Sequence, residues 1–186
     1  MGWIILAILV ILVIAIISMY NGLVSSRVKV DNAWSQIDVQ LQRRFDLIPN
    51  FVETVKGYAA HESETFEKIT ELRTSWANAQ TVTEKAELDN QLSGALKTIM
   101  AVSENYPDLK ANQNFSELSE ELRNTENKIS FSRQFYNDNV TMYNEKLQLF
   151  PSNIIANMFN FKPRELFAVE NNEARKNVKV DFGKNA

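Results

Sequence analysis

The sequence predicts an all-α protein with an N-terminal transmembrane helix and a body of long helices. Only five glycines and four prolines occur among 186 residues, so turn signals are few. Glu, Lys, Gln, Leu and Ala fill long stretches, and apolar residues rarely alternate with polar ones, which favours helix over strand. We therefore divide the chain into a transmembrane anchor (1–22), a helical bundle domain (23–162) and a C-terminal tail (163–186).

The first segment has the composition of a membrane-spanning helix. Every residue from 3 to 17 is apolar, and the first charged side chain is that of Arg27. A helix over residues 3–20 is about 27 Å long, close to the hydrocarbon thickness, and places Trp3 and Tyr20 at the two interfaces. No basic residue precedes the apolar run and no small-residue cleavage site follows it. We therefore expect an uncleaved, single-pass anchor rather than a secretory signal.

The charges beside the anchor predict its orientation. Arg27 and Lys29 lie just downstream of the apolar run, whereas no Lys or Arg lies upstream of it. The positive-inside rule then places the large domain on the cytoplasmic side of the cell membrane.

The body begins with a long apolar seam whose period is close to 3.5 residues. Its members are Val30, Trp34, Ile37, Leu41, Phe45, Ile48, Val52, Val55 and Ala59. Pro49 removes one backbone donor, so we expect a kink or a short irregular turn there. The seam continues in phase at Phe66, Ile69, Leu72 and Trp76. A break within residues 57–63 gives a body of four helices, whereas a continuous rod gives three.

The next helix is delimited by a capping signal. Thr81 with Glu84 matches a capping box, which predicts a helix start. The apolar stripe that follows is Leu88, Leu92, Leu96, Ile99 and Val102. The last long helix then begins near Phe115 and runs to Pro151.

A turn separates these two helices. Tyr106, Pro107 and Asp108 end the first of them, because a proline disfavours helical conformation in the residue before it. Either Asp108 or Asn114 is expected to cap the second. The candidate interaction or kink residues are therefore Pro49, Asn50, Tyr106, Pro107 and Asp108.

The segment after Pro151 combines apolar and basic residues. The apolar group is Ile154, Ile155, Met158, Phe159 and Phe161, and it is followed by Lys162 and Arg164. Such a segment can lie in the membrane interface with its cations toward anionic headgroups. Alternatively, the same residues fold back and close the open end of the helical core.

The residues that most enzymes need are scarce. The chain has no cysteine and one histidine, His61, which is followed by Glu62, Ser63, Glu64 and Thr65, so the H-E-x-x-H pattern fails. We therefore predict no catalytic residue, no metal site, no cofactor and no small-molecule substrate. A formal net charge of -3 also argues against a nucleic-acid partner. Arg43 and Arg44 are predicted to be a solvated pair.

Four strings in order resemble the LemA family of bacterial membrane proteins. They are RRFDLIPNFVETVKGYAAHE, NYPDLKANQNF, TENKISFSRQFYNDNVTMYN and FPSNIIANMF, and the likeness covers residues 1 to about 162. The resemblance implies one membrane helix followed by an antiparallel four-helix bundle, and it favours the break within residues 57–63. It implies no enzymatic activity, and a related branch is associated with magnetosome membrane formation.

These observations predict a membrane-anchored structural or interaction protein, with a scaffold or membrane-organising role. Its expected partners are the lipid bilayer and either other proteins or copies of itself. The alternative is an enzyme or sensor domain that uses the His61 region.

Overall fold

The computed structural model describes residues 1–59 and 62–167, which form helices and turns without a strand. The helices are α1 (Gly2–Lys56), α2 (Ser63–Asn78), α3 (Val82–Ser103), α4 (Pro107–Lys110), α5 (Gln113–Gln148) and α6 (Ser152–Met158). The predicted all-α class is confirmed. Since α1 ends before residue 57 and α2 begins at residue 63, the body contains four long helices, α1, α2, α3 and α5.

The first helix joins the apolar segment to the body without interruption. It has 55 residues, so it is about 80 Å long. Pro49 lies inside this helix, and Pro49 and Asn50 are both exposed. The short irregular turn that we considered at Pro49 is therefore absent. Packing of the buried residues on either side of the proline, such as Ile48 and Phe51, outweighs its local cost.

Helices α1 and α5 lie side by side along the body. The rings of Phe51 and Phe115 stack with their centroids 5.7 Å apart. At the other end, Lys146 Nζ donates a hydrogen bond to Ser26 Oγ at 2.7 Å. Residue numbers therefore fall along α5 as they rise along α1. The end of α5 consequently lies beside the part of α1 that follows the apolar segment.

Helices α2 and α3 form a shorter pair that packs on the distal half of α1, the half farther from the apolar segment. Phe45 of α1 stacks on Trp76 of α2 with ring centroids 4.4 Å apart. Lys85 of α3 donates to Asp38 of α1 at 2.5 Å. The turn between α2 and α3 thus lies near the middle of the body, and this pair leaves the proximal half uncovered on one side.

Helix α3 begins where the capping box of the sequence predicts. Thr81 Oγ1 accepts the Glu84 amide at 3.1 Å, and the Glu84 carboxylate accepts the Thr81 amide at 3.1 Å, so the capping box is confirmed. Hydrogen bonds from the backbone amides of Thr81 and Gln80 lower the pKa of Glu84.

The start of α5 differs from the prediction. Asn112 is the capping residue, and its side chain accepts the Phe115 amide at 3.1 Å. Asp108 is unsuitable because Pro107 opens the short helix α4, which places Asp108 inside that helix. Asn114 already lies within the first turn of α5.

Candidate membrane interface

Most of the apolar segment of α1 is exposed. Its most apolar 18-residue window has a mean hydropathy of 3.0, and none of its residues is buried. Within residues 1–59 and 62–167, α1 alone is long and apolar enough to cross a membrane. Trp3 and Tyr20 are both exposed on this helix. The segment is a candidate membrane anchor, since lipid is the solvent that suits an unburied apolar helix.

Helix α6 packs against the end of this segment. Ile155 and Ala156 are buried together with Leu23 of α1, and Ile16 and Met19 are partly buried in the same contact. Because Ile16 and Met19 belong to the apolar segment, α6 lies at the level where that segment meets the body.

Aromatic contacts join α1 to the turn after α6. The Tyr20 ring lies 4.8 Å from the ring of Phe159 and 5.8 Å from that of Phe161. The Arg27 guanidinium lies over the Phe161 ring at 5.3 Å. Aromatic rings and cations with apolar stems are favoured where hydrocarbon meets water.

The five residues predicted for the interface fall into two groups. Ile155 is only 4% exposed, and Phe161 is partly buried against the core, so these two help to close it. Ile154, Met158 and Phe159 are at least half exposed, and we call these three the α6 patch. The alternative in which the segment closes the core therefore holds for Ile155 and Phe161. The membrane contact of the α6 patch stays a prediction.

Positive charge predominates around this end of the body. Residues 20–31 and 145–165 contain five cations and three carboxylates. The cations are Arg27, Lys29, Lys146, Lys162 and Arg164. Arg164 pairs with Asp31 at 2.8 Å, and Lys146 bonds to Ser26. An excess of cations beside an anchor attracts anionic headgroups by about 1 kcal/mol for each cation near the surface.

A fluorescent reporter at position 158 tests the contact of the α6 patch with lipid. We expect the dye NBD on Met158→Cys, in the full-length chain reconstituted into anionic vesicles, to show blue-shifted emission and quenching by spin-labelled lipid. The chain has no native cysteine, so labelling is specific. Gln113→Cys, exposed at the opposite end of α5, is the control. Identical emission and quenching at both positions would contradict the prediction.

Residues 162–167, which we call the strap, run back along α5. Asn144 Oδ1 accepts the Arg164 amide at 2.9 Å, and its Nδ2 donates to the Arg164 carbonyl at 2.8 Å. Asn137 makes the same two bonds with Phe167, at 2.8 and 3.2 Å. Because both amide groups use both of their polar atoms on main-chain partners, they hold the strap in one register.

Two tyrosines of α5 complete this attachment. Tyr143 donates its hydroxyl hydrogen to the Lys162 carbonyl at 3.0 Å, and Tyr136 donates to the Glu165 carbonyl at 2.8 Å. Burial raises the pKa of both tyrosines. Both hydroxyls therefore remain protonated donors at neutral pH.

Phe167 places the end of the strap in the core. It is 1% exposed, its ring centroid lies 6.2 Å from that of Trp34, and the Arg133 guanidinium lies 4.7 Å from its ring. The described part of the predicted C-terminal tail is therefore packed on the helices. It covers the proximal side that α2 and α3 leave open.

Four charged side chains meet inside the distal half of the body. Arg44 donates to Asp89 at 2.8 Å and pairs with Glu126 at 2.7 Å, and Arg133 also pairs with Asp89. We call these four residues the buried ion cluster. Arg44 is 3% exposed and Asp89 is fully buried.

The burial of Arg44 contradicts our prediction of a solvated arginine pair. Arg43 is exposed and pairs with Glu121, whereas Arg44 lies on the core side of α1. Burial lowers the pKa of Arg44, and burial together with the nearby Arg44 charge lowers the pKa of Arg133 to about 10. Arg133 is therefore charged at neutral pH.

The remaining predicted residues lie away from the membrane end. Pro49 and Asn50 are on the exposed side of α1, Tyr106 precedes α4, and Pro107 and Asp108 lie in the first turn of α4. His61 lies outside the described residues. Among the residues that are described, no group of His, Asp or Glu side chains could hold a metal ion.

Comparison with known proteins shows relatives over most of the chain. The LemA family model matches residues 33–182. Protein LemA of Metamycoplasma hominis is 30% identical over 137 residues, which cover 73% of this chain and 63% of that protein. Magnetosome proteins MamQ 2 and MamQ 1 of Paramagnetospirillum magneticum are each 27% identical over 174 residues, covering 80% of this chain and 64% of theirs. The matches thus span less than two thirds of each relative's length.

The extent of the family match corrects our estimate from the four strings. The match begins at Ala33 rather than at residue 1, and it continues beyond residue 162 to Phe182, so it includes the strap. Because the family model covers well over half of the sequence, this chain belongs to the LemA family.

Proposed function

We propose that this protein is a non-catalytic, single-pass membrane protein that serves as a scaffold or organiser at the cell membrane, with its helical domain in the cytoplasm. The observation that carries the proposal is the continuity of α1. One helix supplies both the exposed apolar segment and a core face that extends from Leu23 to Val55.

A continuous helix transmits the orientation of the anchor to the domain. A flexible linker would let the domain turn freely above the membrane, whereas α1 has no break between the two parts. The α6 contacts with Leu23 and Tyr20 add a second connection at the same level. The domain is thus suited to present its helical faces at a defined angle to partners in or near the membrane.

The same proposal includes an antiparallel four-helix bundle. The order of contacts between α1 and α5, and the packing of the α2–α3 pair on α1, support this arrangement. The printed names of the relatives support a role in a membrane-bounded structure, since two of them are magnetosome proteins.

Membrane extraction tests the anchor. We expect the full-length chain to stay in the membrane fraction after an alkaline carbonate wash, because removing its apolar segment from lipid is too costly. A variant that lacks residues 1–22 should appear in the soluble fraction with helical circular dichroism. Release of the full-length chain by carbonate, or a mature chain that begins after Tyr20, would overturn the proposed anchor.

Cysteine labelling tests the orientation. We expect Glu87→Cys, on the exposed side of α3, to be protected from a membrane-impermeant maleimide in intact cells and to react after lysis. Gly2→Cys, on the other side of the anchor, should react in intact cells. The reverse pattern would place the domain outside the cytoplasm.

A further inference from the structure

A cleft between α3 and α5 runs along the distal half of the body. It consists of two adjoining cavities of about 290 and 480 Å³, and Met100 and Arg123 border both. We call the first the inner cavity and the second the outer cavity. The inner cavity is close to the lower limit of small-molecule sites in proteins.

The inner cavity has an apolar wall and a cationic rim. Leu96, Leu122 and Met100 supply the wall. Lys97 and Arg123 stand at the rim, both exposed, and neither forms an ion pair within the part of the chain that the structure describes.

Arg44 and Glu126 of the buried ion cluster line the inner cavity without cancelling this charge. The Glu126 carboxylate at its edge is already bound by Arg44 at 2.7 Å and by the Ser93 hydroxyl at 3.3 Å. Asp89 is shared by Arg44 and Arg133, so two arginines balance two carboxylates. The rim cations are therefore the uncompensated charge of the cavity.

Two residues that line the cleft each carry a buried polar atom without a hydrogen-bond partner. The atoms are Arg44 Nε and Ser119 Oγ, and the residues line the inner and the outer cavity respectively. Arg44 is 3% exposed and Ser119 is 7% exposed. Buried polar atoms are normally paired, and both of these are potential donors.

The carboxylates of the outer cavity form no ion pair with Arg123. Glu104 is paired with Lys110, and no ion pair joins Glu120 to Arg123. An anionic group at the junction of the cavities would therefore meet Arg123 without displacing an existing contact.

The geometry points to the inner cavity as a binding site for a small organic anion, with its carboxylate or similar group at Arg123 and Lys97. Its short apolar body lies against Leu96, Leu122 and Met100. The site is independent of the scaffold role, and it binds a ligand although no small-molecule substrate is expected from the sequence.

Methyl NMR of the full-length chain in nanodiscs tests this site, with hexanoate as the probe. Met100 is labelled along with the other methionines, and Met19, in the apolar segment, reports any partitioning of the probe into lipid. We expect hexanoate to shift the Met100 signal saturably below about 20 mM, whereas hexanol and hexylammonium should not. Arg123→Gln and Lys97→Gln should each weaken binding by at least tenfold.

Lys128→Gln is the matched control, since Lys128 is an exposed cation of α5 that borders a different groove. It should leave hexanoate binding unchanged. Thermal unfolding of each variant separates loss of the site from loss of the fold. No saturable Met100 shift, an equal response to hexanol, or equal weakening by Lys128→Gln would each overturn the proposal.

Discussion

Replacing Asp89 with asparagine is expected to lower the free energy of unfolding by about 3–5 kcal/mol. Asp89 is fully buried and pairs with both Arg44 and Arg133. The substitution keeps the shape of the side chain but leaves two buried guanidinium groups with Glu126 as their remaining carboxylate in the cluster. Removing one partner of a buried ion pair is costly because the other charge stays desolvated.

The measurement is urea-induced loss of the far-UV circular dichroism of the detergent-solubilised full-length chain. Asp38→Asn is the matched control, since Asp38 also pairs with a cation, Lys85, but is 42% exposed. We expect Asp38→Asn to lower the free energy of unfolding by less than about 1 kcal/mol. Equal effects of the two substitutions would show that burial of the ion cluster does not contribute to stability.

Replacing Phe167 with alanine is expected to lower the free energy of unfolding by about 3–5 kcal/mol. The ring fills the core between Trp34 and Arg133, and its removal leaves a cavity in addition to losing buried apolar area. The hydrogen bonds of Asn137 to the Phe167 backbone remain possible in the variant, so the experiment isolates the packing of the ring.

The neighbouring residue provides the control for this prediction. Leu166 is 47% exposed, and Leu166→Ala should change the stability by only a few tenths of a kcal/mol. The same denaturation measurement applies to both variants. If Phe167→Ala lowers the free energy of unfolding as little as Leu166→Ala does, the strap is not part of the folded core and its contacts with α5 are dispensable.

Most of the helical layout could be predicted because it depends on near neighbours in the sequence. Apolar positions such as Ile37, Leu41 and Ile48 recur with the helical period, and all three are buried. The capping box of Thr81 and Glu84 is a contact over three residues, so its residue types alone indicate it. The helical periodicity continues in phase across residues 57–63, so it could not indicate the break there. Only the resemblance to the LemA family favours that break.

The candidate interface could be predicted only in part. Composition identified the segment after Pro151, but it could not separate Ile155, which is buried against Leu23, from Ile154, which is exposed. The two side chains are adjacent and chemically alike. Their different surroundings depend on which side of α6 faces α1.

The sequence by itself determined the all-α class of the protein, the apolar segment of α1 and the core side of most helices. Tertiary structure alone decided the burial of Arg44 and the packing of Phe167. Arg44 meets Asp89 across 45 positions, and Phe167 meets Asn137 across 30. Hydrophobic pattern and helix propensity depend on residues that are close in sequence. The partners of a buried charge or of the strap depend on how helices that are distant in sequence pack together.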